Sequence, residues 1–281
     1  MEPLFSILVV CLNPGEKLEN TLSSIRKQTF ADYEIVVKDG GSKDGSLDDL
    51  KEELKKDTSS KPEGRLLRLI EKKDTGIYDA MNQAVAEARG RYIYFLNCGD
   101  RLYDENVLAR MATVILKNPS AHGIYYGNIY ERLTGQKVAS NPRIDAFGCY
   151  RNVPCHQACF YDRELLLAHP FQTGYRVRAD YEQFLWCFFT KQYKGDVQFC
   201  YEDIIVADYE GGGFSETKEN RKLSEKEHQE IVRLYLSKRQ IRKYRLIMWL
   251  TLAPVRTWLS RNKATAGLYN VVKKMLYGGE R

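Results

Sequence analysis

The stretch Arg91–Asp104, RYIYFLNCGDRLYD, constrains this chain more than any other. Tyr92 to Leu96 is an apolar run of aromatic, β-branched and aliphatic residues, the composition of a buried strand. Asn97-Cys98-Gly99-Asp100 ends it with turn-forming residues. A carboxylate is thereby delivered to the carboxyl edge of a central strand, the edge at which open α/β sheets bind ligands. A buried carboxylate needs a partner, and a divalent cation is the natural one. Asp100 is accordingly read as a metal ligand.

The chain before this stretch alternates between two periodicities. Ser6–Leu12 (SILVVCL) predicts a buried strand, Asn13-Pro14-Gly15 a turn, and Glu16–Gln28 a helix with Leu18, Leu22 and Ile25 inward. Tyr33–Lys38 predicts a second strand, followed by the Gly- and Asp-dense loop Asp39–Ser46. A short helix to about Lys56, a polar linker over 57–64, a strand over Leu66–Glu71 and a helix over Thr75–Arg89 complete the run. Strand and helix in alternation, with short links, imply a parallel sheet with right-handed crossovers. Asp39, Asp74 and Asp100 each follow a strand end. One such Asp is commonly a turn or helix cap; three on one edge point to a ligand.

The second half is less regular. A helix is expected over Asn106–Leu116, a hairpin from Gly123–Tyr130 and Gln136–Ser140, and a short strand over Pro154–Tyr161 carrying His156 and Gln157. Tyr175–Asp180 leads into a helix, Tyr181–Phe189, with Asp180 at its N-cap. Val197–Tyr209 reads as a strand, and Gly211–Gly213 as a loop able to close over a ligand or serve as linker. Ser224–Glu227 carries the capping-box pattern of a helix start.

The net charge of +6 hides an asymmetry. Between Glu230 and Glu280 there are eleven Lys and Arg and no acid, so the remainder carries −5. Trp249, Trp258, Tyr269 and Tyr277 are interspersed, and Leu246–Pro254 is apolar but well short of the ~20 residues of a membrane span. Basic residues with interfacial aromatics describe helices lying on an anionic membrane surface. Residues 222–281 are thus expected to form a basic amphipathic tail behind a domain over 1–221, itself divided into 1–104 and 105–221. The seven Cys form no CxxC pair, which favours a reduced, cytoplasmic setting over disulfides or structural zinc. MEPLFSILVV has no basic leader and reads as a first strand, not a signal peptide.

With these residues in view, SILVVCLNPGEKLENTLSSIRKQTFADYEIVVKDGGSKDGS and EKKDTGIYDAMNQAVAEARGRYIYFLNCGD resemble a family 2 inverting glycosyltransferase of the GT-A fold. The wording DTGIYDAMN…FLNCGD is similar to the bacterial subgroup that builds colanic-acid, capsule and O-antigen polysaccharides. The resemblance spans roughly residues 4–215 and implies a nucleotide-sugar donor, Mn²⁺ or Mg²⁺, and inversion at the sugar carbon. By position it implies that Leu12 and Asn13 cradle base and ribose and that Asp39 accepts a hydrogen bond from the base. Asp74, Gly76 and Asn82 would line the donor pocket. Asn97–Asp100 stands where the family has Asp-x-Asp, with Asn97 in place of the first acid and Asp100 as the carboxylate that remains. Asp180 matches the family's base, with Glu182 as a second choice, and His156 and Gln157 are candidates for phosphate or acceptor contact.

The expected activity is transfer from a nucleotide sugar, UDP first and GDP second, to a lipid-linked glycan at the inner face of the membrane. Two other classes compete. A nucleotide-sugar-forming nucleotidyltransferase needs a Gly-rich, Lys/Arg-bearing loop after the first strand, and here there is only Asn-Pro-Gly-Glu-Lys. A nucleic-acid-binding protein would use the basic tail, whose aromatic and apolar content fits lipid better.

Overall fold

The computed structural model describes residues 2–56, 65–190, 197–212 and 217–251. Strands β1 (Phe5–Cys11), β2 (Tyr33–Asp39), β3 (Arg65–Glu71) and β4 (Tyr92–Phe95) run parallel in the order β3-β2-β1-β4. Helices α1 (Lys17–Arg26), α2 (Asp48–Lys56) and α3 (Ile77–Glu87) connect them. Beyond β4 follow β5 (Arg101–Leu102), α4 (Val107–Lys117), β6 (Gly123–Glu131), β7 (Gln136–Val138), α5 (Ala146–Arg151), β8 (Cys159–Asp162), α6 (Arg163–Ala168), α7 (Ala179–Phe189) and β9 (Gln198–Tyr209). β8 pairs antiparallel with both β4 and β6, and the sheet continues β4-β8-β6-β9-β5, with β7 on β6. The expected parallel half is therefore present, extended by a mixed half.

All seven residues of β1 and all seven of β2 are buried. Alternate side chains serve opposite faces: Phe5, Ile7, Val9 and Cys11 pack with α1, α2 and α4, while Leu8 and Val10 pack with α3, α6 and α7. Strands covered on both faces read as continuous apolar runs, which is why this half is legible from sequence. Glu34, near the start of β2, is a buried charge that is paired: it accepts from Ser6 Oγ at 2.6 Å, Arg89 N–H at 2.6 Å and Arg68 Nη2 at 2.8 Å. Burial pushes its carboxyl up, but these hydrogen bonds and the Arg68 charge hold it below the usual range.

Three expectations are corrected. His156 lies in a 3₁₀ turn, His156–Ala158, and the strand begins only at Cys159. Asp180 is the second residue of α7, with Arg178 in the N-cap position. Ser224 and Glu227 do not open a helix. They sit inside α8 (Lys218–Tyr235), because the Glu227 carboxylate is drawn to backbone N–H groups elsewhere. The capping box that does form is Ser237 with Gln240, at the start of α9 (Lys238–Leu250).

One compact unit covers Met1–Ile231 and a second covers Val232–Arg281, so Ser224 and Glu227 fall in the first. No described helix is long and apolar enough to cross a membrane. Trp258 and the amphipathic stretch near Leu268–Leu276 lie outside the described residues.

Gly90 marks the turn from α3 into β4. Its N–H donates to Ser6 Oγ at 2.7 Å, and a Cβ there would meet Ser6 N at 2.5 Å and Phe5 C at 2.6 Å. Those atoms are backbone of the central strand and cannot give way. Gly90→Ala is expected to destabilise by about 2 kcal/mol or more, read by denaturant unfolding. A loss below about 0.5 kcal/mol, the scale of an ordinary surface change, would show that the two strands are not held this close.

Candidate active site

Two loops at the carboxyl edge are stitched together. Asp39 ends β2, opposite Cys11 of β1, and its carboxylate accepts from Gly41 N–H at 2.9 Å, Ser42 N–H at 2.9 Å and Ser42 Oγ. Asn13 has a left-handed φ of 48°, donates its N–H to Ser42 Oγ at 2.7 Å and accepts from Lys43 N–H at 2.8 Å. Leu12, between them, is 60% exposed and forms an apolar step beside the polar loop.

Asp74 closes over the same place. A Cβ on Gly40 would lie 2.7 Å from Asp74 Oδ2 and 3.4 Å from Leu12 Cδ1. Asp74 is fixed by Lys38, fully buried in β2, whose Nζ donates to Asp74 Oδ2 at 2.8 Å and to the carbonyls of Asp39 at 3.0 Å and Lys72 at 2.6 Å. Lys38 was missed in the sequence reading. Its signal was a cation at the end of an otherwise apolar strand, a position that demands a buried anion. Gly76, at φ +144°, donates its N–H to Asp74 Oδ1 at 3.2 Å. Asn82 has a structural tie: both ends of its amide meet the Phe171 backbone, at 2.8 and 2.9 Å.

The turn after β4 is held by α1 and by the mixed half. Thr21 Oγ1 donates to the Asp100 carbonyl at 2.8 Å and accepts from Gly99 N–H at 3.0 Å. Asp100, 4% exposed, accepts from Gln157 Nε2 at 3.0 Å and Glu210 N–H at 2.9 Å. Burial outweighs these two bonds and pushes its carboxyl above the usual range. Asn97 Oδ1 is buried without a hydrogen-bond partner among the described residues. A destabilised carboxylate next to an orphaned amide oxygen fits a cation. Among the described residues no group of three or more His, Cys, Asp and Glu could hold a metal ion, so a cation at Asp100 would need ligands from a bound molecule or water.

His156 joins this turn to α7. Its Nε2 lies 3.3 Å from Asn97 Nδ2 and its Nδ1 3.2 Å from Asp180 Oδ2. Tyr78 Oη, from α3, lies 2.8 Å from both Asp180 Oδ1 and the Val177 carbonyl. Burial raises the Asp180 carboxyl, but hydrogen bonds from His156 and Tyr78 and the charge of His156 bring it below the usual value. Tyr78 was also missed; in sequence it reads as an ordinary inward residue of the helix. Glu182 points elsewhere, pairing with His169 Nε2 at 2.9 Å.

Asn97, Asp100, His156, Gln157 and Asp180 therefore form one connected cluster, and Leu12, Asn13, Asp39, Asp74 and Gly76 a second group on the neighbouring strand ends. Asp100 and Asp180 are two carboxyls pushed in opposite directions by their surroundings. Pairs of titratable groups pushed apart in this way mark candidates for acid–base roles.

A carboxyl whose folded value is raised costs stability as pH climbs through that value, because the folded state then holds the charge less well than the unfolded one. Asp100→Asn should accordingly melt above the wild type at pH 7.5, in the absence of ligands, with the gap narrowing toward acid pH. Equal or lower melting of Asp100→Asn at pH 7.5 would contradict a carboxylate strained by burial.

Comparison with known proteins agrees with this geometry. The pattern described as "Glycosyl transferase family 2" matches residues 6–171. A PGL/p-HBAD biosynthesis glycosyltransferase of Mycobacterium bovis is 35% identical over 217 residues, covering 76% of this chain and 80% of the relative. Among solved structures, the mannosyltransferase PcManGT from Pyrobaculum calidifontis, in complex with GDP-Man and Mn²⁺, aligns over 100% of this chain and 89% of its own, with TM-score 0.60 and 15% identity. S. aureus TarS 1-349 in complex with UDP-GlcNAc aligns over 85% and 70%, with TM-score 0.55 and 15% identity. These two structures share the fold. The strand order, the site at the sheet's carboxyl edge and the matched pattern agree: the chain belongs to glycosyl transferase family 2 and is a glycosyltransferase of GT-A fold.

Proposed function

We propose that this enzyme transfers a sugar, with inversion, from a UDP-sugar to a hydroxyl of a lipid-linked glycan in bacterial surface-polysaccharide synthesis, with Asp180 as the general base. The observation that carries the reading is the hydrogen-bonded path from Asp180 through His156 to Asn97, beside the Gln157–Asp100 bond. It sets a carboxylate held below its usual range next to a carboxylate held above it.

Inversion needs one displacement and one base. Asp180 takes the proton of the acceptor hydroxyl as its oxygen attacks the sugar carbon, an assistance of typically ~10²–10⁴-fold. His156 and Tyr78 keep that carboxylate ionised and aimed. Leu12, Asn13 and the Asp39 loop hold the nucleoside, and the buried Asp39 carboxylate, bonded to Gly41 and Ser42, sets the shape of that loop. Asp74 and Gly76 border the same pocket. Asp100 and Asn97 Oδ1 would hold a divalent cation, Mn²⁺ or Mg²⁺, which would supply positive charge to the leaving diphosphate. UDP is favoured as the nucleotide, with GDP the alternative; the two solved relatives carry one nucleotide of each kind.

The second unit supports a location at the inner face of the membrane. On α9, Arg239, Arg242, Lys243, Leu246, Trp249 and Leu250 are all exposed. At about 100° per residue they share one sector of about 120°, basic toward the N-terminus and apolar toward the C-terminus. Such a stripe suits anionic headgroups above acyl chains.

Three measurements test the chemistry. In a thermal-shift screen of UDP, GDP and dTDP with Mn²⁺ or Mg²⁺, UDP with metal should raise the melting temperature most, and Asp100→Ala should abolish the metal-dependent part. No response to any nucleotide would end the reading. Asp180→Asn should lower kcat by about 10²-fold or more while UDP binding persists. Because Asp180 acts ionised, activity falls as pH drops through its value. Removing the His156 hydrogen bond and charge raises that value, so His156→Ala should move the acid limb of kcat/KM to higher pH. An unmoved limb would exclude Asp180 as the titrating base.

For the membrane, the full chain should co-sediment with anionic vesicles and release at high salt. Arg239→Glu with Arg242→Glu and Lys243→Glu should abolish the association. Equal binding to neutral vesicles, or retention on DNA and not on vesicles, would refute it.

A further inference from the structure

The segment that aims Asp180 is held from outside the family-matched residues 6–171. Three successive backbone N–H groups, of Arg176, Val177 and Arg178, converge on one side chain of α8: Glu227 Oε1 accepts the first at 2.8 Å, and Oε2 the second and third at 3.0 and 2.9 Å. Glu227 is 4% exposed. Charge-assisted bonds of this kind, sheltered from water, are strong and fix direction. Arg178 adds two more ties to the same helix, from Nε to Ser224 O at 3.0 Å and to Ser224 Oγ at 2.7 Å. His228, the next residue, bonds the Tyr150 carbonyl at 2.8 Å and packs its ring on Tyr181, so α8 is seated on both α5 and α7.

The held segment has one exit. The Val177 carbonyl meets Tyr78 Oη, which also meets Asp180 Oδ1, and α7 begins at Ala179. If the segment shifts, the start of α7, Tyr78 and Asp180 shift with it.

We propose that Glu227 is a positioning residue of the transferase: its carboxylate, by capping the three N–H groups of 176–178, fixes where the Asp180 carboxylate points. The inference rests on the reading of Asp180 as the base. Glutamine at 227 would present one acceptor oxygen and an NH₂ group to three donors, so Glu227→Gln breaks the cap with little change in volume. Glu227→Asp keeps the charge one methylene further back.

The test compares the full-length wild type with both variants. A misplacement on the order of 1 Å costs roughly 10²-fold in rate, so Glu227→Gln should lose about 10- to 100-fold in kcat. The affinity for UDP with Mn²⁺ should stay within about twofold, as Leu12, Asn13 and the Asp39 loop, proposed to hold the nucleoside, bond none of these atoms. Glu227→Asp should recover part of kcat, and hydrogen exchange of the 176–178 amides should quicken in Glu227→Gln, with the strands β1, β2 and β4 unchanged. Should Glu227→Gln not fold, Glu227→Asp carries the same comparison. Unaltered kcat in a variant that transfers sugar, or a loss of UDP affinity equal to the loss of kcat, sinks this inference alone. A wild type that transfers no sugar from any nucleotide donor sinks the transfer reading and this inference together.

Discussion

The bond between His156 and Asp180 is the contact on which the site depends. His156 belongs to the turn before β8, the strand that docks the mixed half of the sheet against β4. Asp180 belongs to α7, reached only after α6 and a loop. Without this contact the carboxylate proposed to handle the acceptor would still be bonded to Tyr78 of the parallel half, but would lose its direct tie to the turn Asn97–Asp100. One imidazole, bonded on both ring nitrogens, makes that tie: a ring gripped at two ends can neither flip nor swing.

The parallel strands and the turns that follow them carry several buried charges, and they divide by how well they are answered. Glu34 receives three donors and Lys38 donates to three acceptors, so both are saturated within the protein. They act as fasteners: Glu34 ties β1, β2, β3 and the turn into β4, while Lys38 sets Asp74 over Gly40. Asp100 is the exception, with two donors of no net charge and a carboxyl pushed up by burial. A fold does not keep an under-compensated carboxylate for stability's sake, since an amide would serve better there. Its retention makes sense if a cation arrives with the substrate.

The first hundred residues were legible because both faces of β1 and β2 are covered, so apolar runs and turn residues mark the elements cleanly. Asp39, Asp74 and Asp100 could be placed on one edge from the alternation alone. The second half was harder, and for local reasons. PCHQACFY reads as a strand by composition, yet Tyr94 Oη takes the Gln157 carbonyl at 2.9 Å and Cys155 bonds the Gln157 side chain, which favours a tight turn there. Ser224 and Glu227 have capping spacing, but their partners lie some fifty residues upstream, where no local pattern reaches. Lys38 and Tyr78 escaped notice, and Glu227 was read as part of a helix cap, for the same reason: each acts through a contact distant in sequence.

Asn97, where the family pattern has an acid, has a physical reason in this cluster. Its amide nitrogen faces His156 Nε2, whose other nitrogen serves Asp180. An aspartate at 97 would set a second carboxylate on the same imidazole. The ring would then be shared between two anions, and the hold that keeps Asp180 ionised would be divided. The amide avoids that competition, and its oxygen remains without a partner among the described residues. The chain thus gives up one unit of negative charge on the donor side and keeps an undivided histidine on the acceptor side. On this argument the neutral residue at 97 serves the Asp180–His156 pair, and a cation proposed at this turn would meet one protein carboxylate, Asp100.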